Sequence, residues 1–215
     1  MRADAAAFLE AVAVSRETRA ALETYAALLE KWQRKLNLVG PATLATLWLR
    51  HFLDSAQLLD LVATHRPGGL PARWLDLGSG AGFPGLVIAI LGGGPVDLVE
   101  SDARKCVFLR QVIAATRAPA RVHETRIEAL EGVCADIVTA RALAPLPRLL
   151  PLAGPLLDAG SEIWLLKGAR VEEELTSCRQ SWTFDLESFP SRTEAGARIL
   201  RIRNVERVEA EQETS

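Results

Sequence analysis

Hydrophobic and polar positions follow a helical spacing through roughly the first 65 residues of the chain. In the stretch "RETRAALETYAALLEKWQRKL", apolar residues recur every three or four positions, which predicts an amphipathic helix. Ser15 stands just before this stretch as a favoured N-cap, and Gly40-Pro41 is a stop signal beyond its end. The next stretch, "ATLATLWLRHFLDSAQLLDLVATH", predicts a further helix, so we expect this whole part to be helical.

A different pattern begins at Trp74, where short apolar runs alternate with helix-like stretches. Helices are expected from Pro84, from Ala103, through "PRLLPLAGPLL" and through "VEEELTSCR", with a short turn at Ile127 and Glu128. This alternation predicts an α/β fold, in which a mostly parallel sheet carries helices on both faces. No helix separates the last two strands, so we expect them to pair antiparallel. The predicted strands are "WLDLG", "VDLVE", "ARVHE", "ADIVTAR", "SEIWLLKG", "WTFDLESF" and "RILRIRN".

The segment "RPGGLPAR", residues 66–73, separates the two patterns. Its proline and glycine content is typical of a linker. We therefore predict an N-terminal helical extension over residues 1–66 and a Rossmann-type domain over residues 67–215. A chain of 215 residues has room for one domain of ordinary size with such an addition.

The composition excludes several classes of protein. Hydrophobic residues make up 49% of the chain and charged residues 24%, which is typical of a soluble globular protein. Three separate cysteines, with no Cys-x-x-Cys pair, indicate a reducing cytoplasm and no metal site. The start of the chain lacks the apolar segment of a signal peptide, and no run is long enough to span a membrane. The net charge of −2 neither requires nor excludes a nucleic-acid partner.

A glycine-rich turn after the first predicted strand carries the strongest chemical signal. Gly78, Gly80 and Gly82 alternate directly after "WLDL", and Pro84 stands where a helix would begin. Glycines permit a sharp turn and let the backbone approach a ligand closely. In an open parallel sheet, ligands bind beyond the carboxyl ends of the strands, where this turn lies. Three ligands suit such a turn: a dinucleotide, a nucleotide phosphate and S-adenosylmethionine.

Two acidic residues near the turn favour the last of these ligands. Asp76 leads into the turn, where a carboxylate would repel a pyrophosphate but suit the cationic groups of S-adenosylmethionine, directly or through water. Glu100 ends the second strand, 22 residues after Gly78, where it can accept both hydroxyls of a ribose. "GAGFPG" also matches the dinucleotide pattern G-x-G-x-x-G, but this match is weak on its own. Because of Asp76, an NAD-dependent enzyme is the least favoured alternative.

Six segments follow one another along the chain in an informative order: "KWQRKLNLV", "RHFLDS", "LDLGSGAGFPGLVIAI", "ESDARKCVFLRQV", "ARALAPL" and "LLKG". Together they resemble the bacterial 16S rRNA guanine-N7 methyltransferase family, called RsmG or GidB. The resemblance extends from about Lys31 to Gly168. "RHFLDS" and "GAGFPG" are its most specific parts, since Gly-x-Gly-x-Gly alone indicates only some methyltransferase.

The resemblance implies a fold, an activity and a set of contacts. The implied fold is a Rossmann-type methyltransferase sheet with an N-terminal helical extension. The implied activity is methyl transfer from S-adenosylmethionine to N7 of a guanine in the 530 loop of 16S rRNA, guanine-527 in the usual rRNA numbering. Ala140 stands where the family commonly has Ser, but the adjacent Arg141 is in place. Taken with the turn, the predicted cofactor-binding residues are Asp76, Gly78, Gly80, Gly82, Phe83, Glu100, Ile127, Glu128 and Arg141.

The residues that would act on the acceptor base follow from its chemistry. Guanine N7 carries an in-plane lone pair, so its methylation needs no base and depends on positioning. N7 and O6 are acceptors on the same edge, and an arginine or lysine bonded to O6 would aim N7 at the methyl group. We predict Arg141 for this catalytic role, with Lys167 as the second candidate. His51 and Asp54, three residues apart on one helical face, are expected to support the pocket.

Two further assignments stay open. Phe83 either stacks on a base or belongs to the core, and Asn37 either caps a helix or lines the pocket entrance. Alternatives to the implied activity are a methyltransferase with another substrate and a non-catalytic RNA-binding protein of ribosome assembly.

The implied partner is 16S rRNA, either free or in the small ribosomal subunit, and we expect the protein to be a monomer. Basic residues on both parts of the chain are candidates for phosphate contacts. We expect them to contact RNA only if they cluster on the face of the active site. These candidates are Arg16, Arg19, Lys31, Arg34 and Lys35 in the extension, and Arg104, Lys105, Arg110, Arg121 and Arg126 in the sheet domain.

Overall fold

A computed structural model describes residues 3–66, 68–70 and 73–208 of the chain. Residues 3–66 form helices and loops and contain no strand, as predicted. Ser15 caps the long second helix as expected, since its hydroxyl accepts a hydrogen bond from the backbone N–H of Thr18 at 3.1 Å. The elements are α1 (Ala3–Ala11), α2 (Arg16–Gln33), α3 (Pro41–Leu44), a π-helical segment (Trp48–Leu53) and α4 (Asp54–His65).

Seven strands form one sheet in the order β3-β2-β1-β4-β5-β7-β6. Strands β1 to β5 are parallel, whereas β7 is antiparallel to both β5 and β6. The predicted fold class is confirmed, including the antiparallel pairing of the last two strands. The strands are β1 (Trp74–Leu77), β2 (Val96–Glu100), β3 (Ala120–Glu124), β4 (Ala135–Arg141), β5 (Leu157–Lys167), β6 (Trp182–Pro190) and β7 (Arg198–Arg207).

The remaining helices cover both faces of the sheet. They are α5 (Gly85–Ile90), α6 (Ala103–Thr116), α7 (Leu146–Ala153) and α8 (Val171–Cys178), with 3-10 turns at Ile127–Ala129 and Gly154–Leu156. One hydrophobic cluster joins the N-terminal helices to α5 and α6, and a second contains the apolar side chains of α7 and α8. All four residues of β1 are buried, as expected for a central strand with helices on both faces.

The third predicted helix is divided in the structure. α3 ends at Leu44, and the chain forms the π-helical segment before α4 begins at Asp54. A π-helical turn changes which side chains share a face, and such turns are frequent at functional sites. Periodicity alone could not indicate it. α2 also ends earlier than the Gly40-Pro41 signal suggested, at Gln33, whose side chain accepts hydrogen bonds from two backbone N–H groups of the following loop.

The boundary near residue 66 stays a prediction, because part of the linker lies outside the described residues. The two parts of the chain share a core: Tyr25 and Phe52 of the extension both pack on Phe83 of the glycine-rich turn. No described helix is long and apolar enough to cross a membrane. The described residues also contain no group of three or more His, Cys, Asp or Glu side chains that could hold a metal ion.

Candidate active site

A cavity of about 900 Å³ opens at the carboxyl ends of the parallel strands. Its wall includes the glycine-rich turn after β1, the end of β2, the turn after β3, the loop after β4 and part of the π-helical segment. This volume lies at the upper end of the range for small-molecule sites, about 300–1,000 Å³. The predicted site residues in the wall are Gly78, Gly80, Phe83, Glu100, Ile127, Glu128, Arg141 and Lys167.

The glycine-rich turn has a backbone conformation that side chains would prevent. Gly78 and Gly82 have φ angles of 63° and 93°, in the region that favours glycine. A Cβ on Gly82 would lie 2.7 Å from the hydroxyl of Tyr25 and 2.5 Å from Cδ1 of Leu86. Gly82 is therefore the point where the helical extension packs against the turn. Gly82 is not part of the cavity wall, so the geometry supports a role in shaping the turn.

Asp76 lies behind the turn, fully buried. Its carboxylate accepts hydrogen bonds from the Thr139 hydroxyl at 3.0 Å and from the backbone N–H of Gly85 at 3.3 Å. Burial raises the pKa of Asp76 from the usual 3.8 to about 6, although these hydrogen bonds oppose the shift. The side chain is not part of the cavity wall, so the geometry does not support direct contact with a bound cation, the first of the two modes of contact that we expected.

Glu100 ends β2 with its side chain in the cavity wall. Its Oε2 accepts a hydrogen bond from the backbone N–H of Gly80 at 2.9 Å, and its Oε1 accepts one from the backbone N–H of Asp102 at 2.8 Å. These two bonds hold the carboxylate beside the turn. Each carboxylate oxygen has a second lone pair, so both remain able to accept a ribose hydroxyl.

Arg141, at the end of β4, has three neighbours from the "RHFLDS" segment. Its Nη1 donates to the carbonyl of Arg50 at 3.2 Å and reaches the Asp54 carboxylate at 3.4 Å. Its Nη2 donates to Nδ1 of His51 at 2.6 Å, and its Cζ lies 4.9 Å from the ring centre of Phe83. A guanidinium has five N–H donors, and these contacts use three of them. The Nε–H and one Nη2–H are left over.

His51 is an uncharged acceptor at this site. Burial, together with the charges of Arg141 and Arg50, lowers the pKa of His51 from 6.5 to about 3. Because Nδ1 accepts from Arg141, the ring proton lies on Nε2, which donates to the Thr43 hydroxyl at 2.8 Å. This arrangement supports the predicted role of His51 in holding the pocket, without a catalytic proton.

Phe83 belongs to the core. Its ring lies 5.4 Å from that of Tyr25 and 4.9 Å from that of His51, both in stacked arrangements. Only 4% of the residue is exposed, although it borders the cavity. Of the two alternatives for this residue, the geometry therefore favours core packing over stacking on a base.

Lys167, at the end of β5, is tied to its surroundings. Its Nζ donates to the carbonyl of Ala144 at 2.8 Å and to the carboxylate of Glu174 at 2.7 Å. Glu174 also accepts a hydrogen bond from the backbone N–H of Leu146 at 2.9 Å. The Lys167 side chain is 10% exposed and keeps one N–H for another partner. These hydrogen bonds connect the loop after β4 to the end of β5 and to α8.

The loop between β6 and β7 joins the site without having been predicted. It contributes Ser191, Glu194 and Ala197 to the cavity wall. The Asp54 carboxylate accepts hydrogen bonds from the hydroxyls of Thr193 at 2.7 Å and of Ser191 at 3.3 Å. A short polar loop carries no motif, so no sequence signal could have found it. The pairing of β6 and β7 at the end of the sheet brings it to the cavity.

The basic residues predicted to contact RNA are dispersed. Lys105 and Arg126 line the cavity. Others pair with nearby carboxylates, such as Arg110 with Glu124 at 2.7 Å. Asn37 is exposed, lies beyond the end of α2 and is not part of the wall, so neither proposed role is supported. Three further arginines of the wall were not predicted, namely Arg50, Arg170 and Arg198.

Solved structures share this fold. A putative O-methyltransferase from Klebsiella pneumoniae matches with a TM-score of 0.59 at 14% identity, over 91% of this chain and 94% of that one. A mutant of MtNAS in complex with S-adenosylmethionine also matches with a TM-score of 0.59, at 15% identity, over 91% of this chain and 82% of that one. With the turn and the cavity at the carboxyl edge, these likenesses define a protein of the Rossmann-type methyltransferase fold.

Sequence similarity narrows this class. The model of the family described as rRNA small subunit methyltransferase G matches residues 18–200, and the chain belongs to this family. The ribosomal RNA small subunit methyltransferase G of Rhodospirillum rubrum is 52% identical over 202 residues, covering 94% of this chain and 98% of that protein. Its counterpart in Methylobacterium nodulans is 51% identical over 201 residues, covering 90% and 92%. The resemblance found in the sequence is thereby confirmed.

Proposed function

We propose that the protein transfers a methyl group from S-adenosylmethionine to N7 of a guanine in the 530 loop of 16S rRNA, guanine-527 in the usual numbering. Membership of the small subunit methyltransferase family supports the reaction and its RNA substrate. The observation that carries the proposal is Arg141, held in the cavity wall by His51 and Asp54 with two N–H donors left over. Action in the cytoplasm as a monomer is part of this proposal.

The residues of the turn fit S-adenosylmethionine. Gly78 and Gly80 present backbone without side chains to the cavity, and Glu100 keeps lone pairs for the ribose hydroxyls. Glu100, the carboxylate of the cavity wall beside this turn, disfavours a phosphate and favours a cation. S-adenosylmethionine supplies an electrophilic methyl carbon on a sulfonium sulfur.

Positioning is the task that remains for the chain. With the donor bound, the N7 lone pair would displace the sulfur from the methyl carbon, and the electron pair of the broken carbon–sulfur bond would stay on sulfur. No proton moves, so a neutral His51 does not hinder the step. Arg141 donates to guanine O6 through its remaining N–H groups and so aims N7. Lys167, with one remaining N–H, is the second candidate for this role.

A methyl-transfer assay tests the proposal. The substrates are small ribosomal subunits and naked 16S rRNA, both from cells that lack this modification, with labelled S-adenosylmethionine as donor. Chemical cleavage at N7-methylguanine maps the product, and we expect one site in the 530 loop. If the protein binds the donor in calorimetry but labels neither substrate in that loop, the proposed acceptor is wrong.

Arg141→Ala is expected to lower kcat on the RNA substrate by about 100- to 1,000-fold, as for loss of a positioned donor at a reacting group. Arg141→Lys keeps the charge but loses the forked geometry, so we expect only partial recovery. Arg148→Ala, on an exposed residue of α7 outside the cavity wall, is the matched control and should leave kcat unchanged. Thermal unfolding of each variant separates folding from turnover. Turnover by Arg141→Ala at the unmodified rate would remove Arg141 from the mechanism.

A further inference from the structure

Arg50 connects the site to the exposed edge of the cavity. Its backbone carbonyl accepts a hydrogen bond from Arg141 at 3.2 Å, so its main chain lies at the centre of the site. Its guanidinium points toward the loop between β6 and β7, where it donates to the Glu194 carboxylate at 2.7 Å and to the Thr193 carbonyl at 3.3 Å. The side chains of Arg50 and Glu194 are 31% and 50% exposed, so solvent reaches this ion pair.

In the Arg50–Glu194 pair, one guanidinium N–H donates to a carboxylate oxygen. Carboxylate and phosphate oxygens are recognised by the same guanidinium donors. An exposed ion pair of this kind stabilises the protein by only about 0–1 kcal/mol. A competing anion can therefore replace Glu194 at Arg50 at little cost in folding free energy.

Four further cations of the cavity wall favour an anionic ligand. Lys105, Arg126, Arg170 and Arg198 border the cavity, and none of them forms an ion pair with a described residue. Unpaired cations around a concave site raise the local concentration of anionic ligands. Arg50 differs from these four residues because its guanidinium is already paired with the Glu194 carboxylate.

We propose that Arg50 binds a phosphodiester of the RNA substrate and that the Glu194 carboxylate takes the place of this phosphate when RNA is absent. The inference rests on the proposed function and adds a binding subsite to it. Arg50, Glu194 and Arg141 line the same cavity, so the phosphate belongs to the RNA segment that enters this cavity. When RNA binds, its phosphate displaces the Glu194 carboxylate from Arg50, and the exposed side chain of Glu194 moves into solvent.

The proposal predicts that two substitutions change the affinity for RNA in opposite directions. Glu194→Gln keeps the size of the side chain but removes the competing charge, so we expect RNA to bind about three- to tenfold more tightly. Arg50→Gln removes one phosphate contact. It should weaken binding by about tenfold and lower the slope of log Kd against log salt concentration by about 1. In the Arg50→Gln background, Glu194→Gln should have little further effect, since the site for which it competes is gone.

Glu187→Gln is the matched control. Glu187 lies in β6 of the same hairpin, pairs with Arg201 at 2.9 Å and Arg203 at 3.1 Å, and does not line the cavity. This substitution changes the net charge by the same amount as Glu194→Gln, so it accounts for the general effect of charge on RNA binding. Arg50→Met removes the charge but keeps an aliphatic side chain of similar length, and it replaces Arg50→Gln if that variant fails to fold.

The test measures the Kd for 16S rRNA by the anisotropy of the fluorescently labelled protein, with S-adenosylhomocysteine present, at several salt concentrations. The subsite is supported if Glu194→Gln binds RNA more tightly, Glu187→Gln does not, and the gain from Glu194→Gln disappears when Arg50 is replaced. Equal shifts for the two glutamate variants, or an unchanged salt slope for Arg50→Gln, would overturn it while methyl transfer by the unmodified protein stands. If the unmodified protein neither binds nor methylates the RNA, the proposed function fails and the subsite fails with it.

Discussion

Asp76 is a buried carboxyl group whose protonation is linked to folding. The pKa of Asp76 is about 6 in the folded protein, against the usual 3.8 of an aspartate. Between pH 3.8 and pH 6, the folded state therefore holds a proton that the unfolded chain has lost. The contribution of Asp76 to stability therefore falls as pH rises from about 4 to about 6, and is level above pH 6. Asp76→Asn keeps an acceptor for Thr139 but has no charge, so we expect it to lack this fall.

Urea unfolding of both proteins at pH values between 4 and 7 checks this prediction. Other carboxyl groups titrate in the same range, so the relevant quantity is the difference in the free energy of unfolding between the variant and the unmodified protein. That difference should move in favour of Asp76→Asn as pH rises to about 6 and then stay constant. Parallel stability profiles would show that Asp76 does not titrate in this range.

Individual residues show what a sequence pattern cannot resolve. Glu100 and Arg141 lie in the cavity wall because the ends of parallel strands meet at one edge of the sheet. Asp76 lies on a strand of the same sheet, but its side chain points behind the turn toward Thr139. Lys167 was expected as a possible catalytic cation, yet Glu174 of α8 holds its ammonium. Side-chain direction at a strand end depends on neighbouring strands and helices, which local sequence does not specify.

At the scale of elements, Gly85 sets the distance between α5 and β1. A Cβ there would lie 2.9 Å from Cβ of Asp76 and 2.5 Å from Cδ2 of Leu98, both buried. Alanine would favour a helix by about 1 kcal/mol over glycine, but overpacking of a buried contact costs about 1–3 kcal/mol. We expect the clash to dominate, so Gly85→Ala should lower the free energy of unfolding in urea.

Gly154 provides the control for that substitution. It has helical φ and ψ angles of −49° and −50°, and no atom lies within 4 Å of the position of an added Cβ. Gly154→Ala should therefore be neutral or stabilise the protein by up to about 1 kcal/mol. The opposite signs expected for the two glycines make the comparison decisive. A stable Gly85→Ala variant would show that α5 shifts away from β1 without loss.

The contact between α2 and the glycine-rich turn depends on Tyr25. Its buried hydroxyl donates to the carbonyl of Ala81, which lines the cavity. Tyr25→Phe keeps the ring but leaves that carbonyl without its donor, which should lower stability by about 1–3 kcal/mol. Since the turn is then held less firmly, we also expect weaker binding of S-adenosylhomocysteine in calorimetry, by several-fold.

Trp32→Phe is the control for Tyr25. Trp32, also in α2, donates to the side chain of Gln111 in α6 at 2.7 Å, away from the turn. Its replacement removes a hydrogen bond of the same helix and should leave cofactor affinity unchanged. Equal losses of affinity in the two variants would mean that α2 acts by general stability alone.

For the whole molecule, the shared core predicts one cooperative unit. Tyr25 and Phe52 of the helical extension pack against Phe83 and Phe108 of the sheet domain. A chain that begins at residue 67 would expose this apolar surface, so we expect it to be unfolded or aggregated. The full chain should show coincident urea transitions by tryptophan fluorescence and circular dichroism. A soluble, cooperatively folding fragment of residues 67–215 would contradict this and support two independent domains.

Patterns along the chain were sufficient to predict the fold class and the family. Alternation of helical and strand patterns predicted the doubly wound sheet, and the ordered motifs "RHFLDS" and "GAGFPG" indicated the methyltransferase family, which the comparisons confirm. These features depend on spacing along the chain, which a sequence displays directly. For the same reason the turn at Gly78 and the ribose position at Glu100 were found without a structure.

Tertiary structure alone decided which groups meet at the site. It brought His51 and Asp54 to Arg141, from segments about ninety residues apart, and added the loop that holds Glu194 against Arg50. The π-helical segment that presents Arg50 and His51 has no signature in the spacing of apolar residues. Such contacts depend on packing between distant segments, and that packing is settled only when the two faces of the sheet are covered.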